Sequence, residues 1–167
     1  MGQVVVTDAT VIINFAHLDR LDVLGRVPTA RFVLPPEVVG EIAYPAQAAA
    51  LASAVGKGFL RVEPLLDVQG LEMYAQFRKT LGKGESACLA LAAIHDWLLA
   101  SDDNQPAFRR RVSERLRPGR MLNTVGIIVR AIQEGVVTLA EANAMIPVLA
   151  KHRFRLPFDS FEHLLKR

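Results

Sequence analysis

The chain has 167 residues, 51% of them hydrophobic, with 20 Lys and Arg against 17 Asp and Glu and a single cysteine. That length fits one domain over residues 1–167, and the apolar share excludes a disordered chain. The net charge of +3 identifies no partner. No apolar run suits a bilayer span, the amino terminus enters strand pattern without a basic leader, and the lone Cys88 excludes an intrachain disulfide. These features predict a reducing, cytoplasmic setting with no membrane partner.

The first stretch, Gln3-Val4-Val5-Val6-Thr7, is continuous and β-branched, as a strand buried on both faces of a parallel sheet should be. Asp8 falls at its end, Thr10 follows, and Val11, Ile12 and Phe15 then take helical spacing. Read alone, Asp8 is a helix cap. In an open α/β sheet, however, ligands bind at the carboxyl ends of strands, which also makes Asp8 a candidate for chemistry. A short amphipathic segment covers His17 to Leu24. Arg31 to Leu34 reads as a second strand, and Pro36 opens a helix in which Val38 and Ile42 lie one turn apart. Glu37 and Glu41 share a face of that helix. Glu37 suits the positive end of the helix dipole, whereas Glu41 has no such structural reason.

An alanine-rich helix is predicted over Ala46 to Val55, closed by Gly56-Lys57-Gly58. Phe59 to Val62 is a third strand. A helix within residues 66–81 is expected to turn Leu71, Tyr74, Ala75 and Phe77 inward. Gly82-Lys83-Gly84-Glu85 then breaks one helix and starts the next, without the glycine-to-lysine spacing of a phosphate-binding loop. Leu89, Ala92 and Ala93 give that helix a small apolar face, joined by Cys88 as a buried, inert thiol. Trp97 to Ser101 is a fourth strand, and it ends in Asp102-Asp103.

Phe108 to Leu116 continues as a helix carrying Arg109, Arg110, Arg111 and Arg115, with Arg117 and Arg120 beyond it. Arg120 to Leu122 is a weak fifth strand. Asn123-Thr124 precedes a helix over Val125 to Gln133, which stops at Gly135. Thr138 and Glu141 form a capping box for a helix reaching Lys151, with Pro147 as a candidate kink. In the tail, Asp159 and Glu162 are expected to cap a short helix with Phe161, Leu164 and Leu165 on its apolar face. His17, His95, His152 and His163 lack ligand-like spacing and read as structural.

Strands alternating with helices predict an α/β fold whose central sheet is parallel, with helices on both faces. All strand carboxyl ends then lie along one edge. Asp8 and Asp102-Asp103 end strands there, and Glu41 and Glu85 lie on helices that could reach the same edge. Gathered carboxylates raise one another's pKa, and a hard divalent cation relieves this. An oxygen-only donor set suits Mg²⁺ or Mn²⁺ better than zinc.

Asp8 with Thr10, the Pro36-to-Glu41 helix, Gly82-Lys83-Gly84-Glu85 and Asp102-Asp103 together resemble a PIN domain. The subgroup they resemble is the bacterial and archaeal one related to VapC-type toxins. Asn123-Thr124-Val125-Gly126, the Gln133-Glu134-Gly135 helix end and the tail from Phe154 to Leu165 also fit, so the resemblance spans nearly the whole chain. It implies a three-layer α/β/α sandwich around a sheet of four to five parallel strands. The implied activity is a metal-dependent endoribonuclease, the toxin of a type II toxin–antitoxin pair. Asp8, Glu41, Glu85 and Asp102 would be the catalytic and metal-holding acids, with Asp103 as the alternative fourth acid. Thr10 would orient Asp8 or a water beside the ion, and Asn123 and Thr124 would support the site. Arg109, Arg110 and Arg111 would hold the RNA backbone. A small antitoxin and a homodimeric state follow from the same resemblance. Two other readings are a PIN-like module that binds RNA or protein without cutting, and an acid-rich phosphatase or 5′-nuclease. Thr10, standing where a second Asp is required, argues against a HAD-type phosphatase.

Overall fold

The valine run is the central strand of the molecule. In a computed structural model, which describes residues 2–166, β1 (Gln3–Thr7) pairs with β2 (Ala30–Leu34) on one side and β4 (Leu98–Ala100) on the other. The two-residue strands β3 (Arg61–Val62) and β5 (Met121–Leu122) complete an all-parallel sheet in the order β3-β2-β1-β4-β5. Val5 and Val6 are fully buried, as the absence of alternation in this run requires. The chain builds one half of the sheet outward from β1, then crosses back and builds the other. The strand order therefore reverses between β1 and β4, where an open α/β sheet forms its binding crevice.

Helices cover both faces. One group consists of α3 (Pro36–Glu41), α5 (Val68–Phe77) and α7 (Pro106–Arg115), packed around α6 (Lys83–His95). In the other, α1 (Ala9–His17) packs against α4 (Pro45–Gly56), α8 (Thr124–Gln133) and α9 (Leu139–Lys151). The short α2 (Asp22–Arg26) lies on β2, and α10 (Glu162–Leu165) lies on α8. One continuous core includes Phe15, Phe77, Phe108 and Phe161, all fully buried. The small face of α6 enters that core through Cys88, Leu89 and Ala92. The Thr138–Glu141 capping box is formed in both directions, at 3.0 and 2.8 Å, and Pro147 lies inside α9. No helix among the described residues is long and apolar enough to cross a membrane.

Three local expectations are corrected. The third strand is only Arg61–Val62, and Phe59 and Leu60 precede it. In α5 the inward positions are Gly70 and Phe77, while Leu71 is 47% exposed and Ala75 also faces out. Asp67 sets that register by accepting from the backbone N–H groups of Gln69 and Gly70. Gly70 then meets Leu65 and Ile94 so closely that a Cβ would lie 2.6 Å from Leu65 Cδ1. In the tail, Asp159 does not cap α10. Ser160 Oγ accepts from Glu162 N at 3.2 Å, and Asn143 on α9 takes the Phe161 N–H at 2.9 Å.

Candidate active site

The crevice between β1 and β4 is built on hydrogen bonds to two aspartates. Asp8 is 3% exposed and adds one rung to the sheet, its N–H donating to the Ala100 carbonyl at 3.0 Å. Its Oδ1 caps α1, accepting from Thr10 N at 3.0 Å, Val11 N at 3.3 Å and Thr10 Oγ1 at 2.6 Å. Its Oδ2 accepts from Ser101 Oγ. The cap and the candidate chemistry thus occupy different oxygens of one carboxylate. Thr10 Oγ1 also accepts from Asp102 N at 2.9 Å, so a single hydroxyl ties the end of β1 to the end of β4.

The two acids after β4 play different parts. Asp102 is engaged on both oxygens: Thr124 N donates to Oδ1 at 2.9 Å, and Thr124 Oγ1 and Asn14 Nδ2 donate to Oδ2. Asp103 Oδ1 accepts from Gln105 N at 2.8 Å, and its backbone N–H donates to Ser101 Oγ at 3.1 Å. The Asp103 carboxyl is also close enough to Glu85 for its charge to raise that group.

Glu41 and Glu85 arrive from neighbouring helices. Gly84, at the start of α6, donates its N–H to Glu41 Oε1 at 2.8 Å. A Cβ on Gly84 would lie 2.3 Å from Glu41 Oε2, so only glycine admits this carboxylate. Glu85, the next residue, lies close enough to Asp103, Asp8 and Glu41 for their charges to raise it. All five predicted acids therefore converge on one edge of the sheet.

Burial pushes Asp8 up to about 6, against the opposing bonds from Ser101, Thr10 and Val11 and with a further push from Asp102. Burial also pushes Glu85 up to about 7, joined by Asp103, Asp8 and Glu41. Cys88 beneath them donates to the Thr7 carbonyl, and its thiol is raised by burial and then by Asp8, Glu41, Glu37 and Glu85. This is the inert thiol predicted. Burial penalises the charged forms of these carboxyls, and an all-oxygen donor set that a cation would help to ionise fits a hard divalent ion. Among the described residues, no three His, Cys, Asp or Glu side chains are grouped as they stand so that they could hold a metal ion.

The arginine run divides. Arg109 reaches the site side, donating to Asn104 Oδ1 at 2.8 Å and to Met121 Sδ at 3.5 Å. Arg110 is exposed, and Arg111 pairs with Glu114. Arg115 lies over the Phe77 ring, 5.7 Å from its centroid. Arg117 and Arg120 both pair with Asp96, at the amino end of β4 and away from the acids. Asp96 thus draws the last two arginines of the run to the edge opposite the acids.

Sequence reasoning missed Ser101 and Asn14. Ser101 is fully buried and joins Asp8 to Asp103. Asn14 donates to Asp102 Oδ2 at 2.9 Å and to Thr124 Oγ1 at 3.3 Å. A signal existed for Asn14, a polar residue on the apolar face of α1 one turn beyond Thr10. Asn123 caps α8 through Gly126 N at 2.8 Å, and Thr124 holds Asp102. The histidines stand apart from the acids: His17 stacks on His152, His95 on Trp97, and His163 lies edge-on to Phe158.

Comparison with known proteins gives one result. A family model described as a PIN domain matches residues 4–167. No curated protein and no solved structure matches the chain.

Proposed function

The chain belongs to the PIN-domain family, whose members are usually metal-dependent nucleases, and from that premise we propose that it is a Mg²⁺- or Mn²⁺-dependent endoribonuclease. The observation that carries the reading is the convergence of Asp8, Glu41, Glu85 and Asp103 at the carboxyl edge of the sheet, where two of the four are held well above the usual carboxylate range. Asp8, Glu41 and Glu85 hold the ion in this scheme. Asp103, beside Glu85, is the fourth ligand in this scheme, and Asp102, held by Thr124 and Asn14, braces the strand end.

The ion supplies a Lewis acid that lowers the pKa of an attacking water and offsets charge on the leaving oxygen. The chain's own groups do the positioning. Thr10 and Ser101 fix the Asp8 carboxylate from both sides, Gly84 N fixes Glu41, and Arg110 binds a flanking phosphate without reading sequence. In biological terms we read the protein as a VapC-like toxin, checked by a small antitoxin encoded beside it. The exposed alanines of α4, Ala49 and Ala52, offer a surface for a homodimer.

Labelled single-stranded RNA incubated with the purified protein should be cleaved in Mg²⁺ or Mn²⁺ and left intact in chelator. The Asp8→Asn variant should lose this cleavage. Equal cleavage by that variant overturns the metal-site assignment, and RNA binding without cleavage in either metal favours a non-cutting RNA-binding module. Expression of the protein alone should slow growth, and co-expression of the neighbouring small protein should restore it.

A further inference from the structure

Beside the acids lies a recess of about 260 Å³, bounded by Ser101, Arg109, Met121, Leu122, Asn123 and Gly126. Ser101 is shared between this recess and the Asp8 carboxylate, so the two spaces adjoin. The Ser101 hydroxyl is spent on Asp8, so Asn123 and Arg109 are the side-chain donors of the recess. Asn123 Oδ1 accepts from the Gly126 N–H, and its amide N–H groups have no hydrogen-bond partner among the described residues. Arg109 is held by Asn104 Oδ1 and Met121 Sδ. Among the described residues it pairs with no carboxylate, unlike Arg111, Arg117 and Arg120.

A guanidinium fixed in this way, beside a thioether and a leucine side chain, is a surface on which an aromatic ring stacks. With the ring stacked on Arg109, the Asn123 amide N–H groups are the donors left for a base with adjacent acceptors, such as the O6 and N7 of guanine. The space is smaller than the pockets that take drug-sized ligands. Gly126 keeps it open: a Cβ there would lie 3.3 Å from Asn123 Oδ1 and 3.6 Å from Leu122 Cδ2, so a longer side chain would fill the recess.

We propose that this recess is a nucleobase subsite, which receives one unstacked guanine of single-stranded RNA from a nucleotide next to the scissile phosphodiester. The assignment rests on the ribonuclease reading and adds base selection to a site otherwise described by its phosphate contacts.

Its test is made in chelator, where nothing is cut. The probes are a labelled uridine decamer carrying one guanine and the same decamer with that guanine replaced by an abasic nucleotide. The wild-type protein should bind the guanine decamer about tenfold more tightly, as the loss of one stacked base implies. Gly126→Leu should bind the two decamers alike, and so should Arg109→Ala, whose exposed position on α7 leaves folding undisturbed. Equal binding of both decamers by the wild type, or a preference retained in Arg109→Ala, overturns the subsite, and so does the absence of any binding by the wild type. Metal-dependent cleavage is scored separately, so the recess can fail while the nuclease stands, and the reverse.

Discussion

The serine after β4 shows how a neutral side chain governs charged ones. Ser101 Oγ donates to Asp8 and accepts from the Asp103 backbone, so it sets the spacing of two acids from different strands. It also opposes the effect of burial on Asp8. Ser101→Ala should therefore weaken Mn²⁺ binding by roughly 10–100-fold, the usual effect of removing a group that orients a ligand. The pH at which binding sets in should also move upward. Calorimetric titration with Mn²⁺ across pH checks both, and unchanged affinity would show that Asp8 holds its geometry through Thr10 alone. Nothing in the sequence singles Ser101 out, since a serine at a strand end is ordinary. Its role appears only when the Asp8 and Ser101 ends of adjacent strands are brought together. Asp102 and Asp103 likewise stand side by side in sequence, and only the placement of Thr124 on α8 and Glu85 on α6 tells them apart.

At the level of the element, the start of α6 is a fitted junction with α3. Gly84 is poor for helix stability, and alanine at an unconstrained helical position would be worth about 0.5–1 kcal/mol. Here the Cβ would strike Glu41 Oε2. Gly84→Ala should leave the melting temperature near the wild-type value or above it while cutting metal-dependent cleavage by at least about tenfold. A variant with full activity would show that Glu41 need not sit where it does. The elements themselves were legible. The valine run, the helix opened by Pro36, the capping box and the acidic strand ends each follow from local chemistry. What could not be read was orientation. Leu71 and Ala75 fit an inward stripe by spacing, yet the Asp67 cap and the close approach of Gly70 to Leu65 rotate them outward. Asp159 had the spacing of a cap, but Asn143 from a distant helix took the neighbouring N–H.

For the molecule as a whole, the crowded acids couple stability to pH. Asp8 and Glu85 titrate at about 6 and about 7 in the folded chain, above their ordinary values of 3.8 and 4.5. The folded state therefore holds more protons than the unfolded one between those limits, and stability falls as pH rises from about 4 to about 7. Without divalent ions, thermal unfolding should give a lower melting temperature at pH 8 than at pH 5, from these two groups. Mg²⁺ or Mn²⁺ should raise it, more at pH 8, where the carboxyls are ionised, than at pH 5. A metal-induced shift that is the same at both pH values would contradict the proposed ligands. The sheet order has a further consequence, for the timing of assembly. β1 is among the first segments made, but its second partner, β4, and the acids beyond it come near residue 100. At ordinary synthesis rates, roughly 5–20 seconds separate the two. Thr124, which holds Asp102, follows later still. A ribosome-bound chain thus carries Asp8 and Glu41 long before it can assemble the crevice, which is complete only once most of the protein has been made.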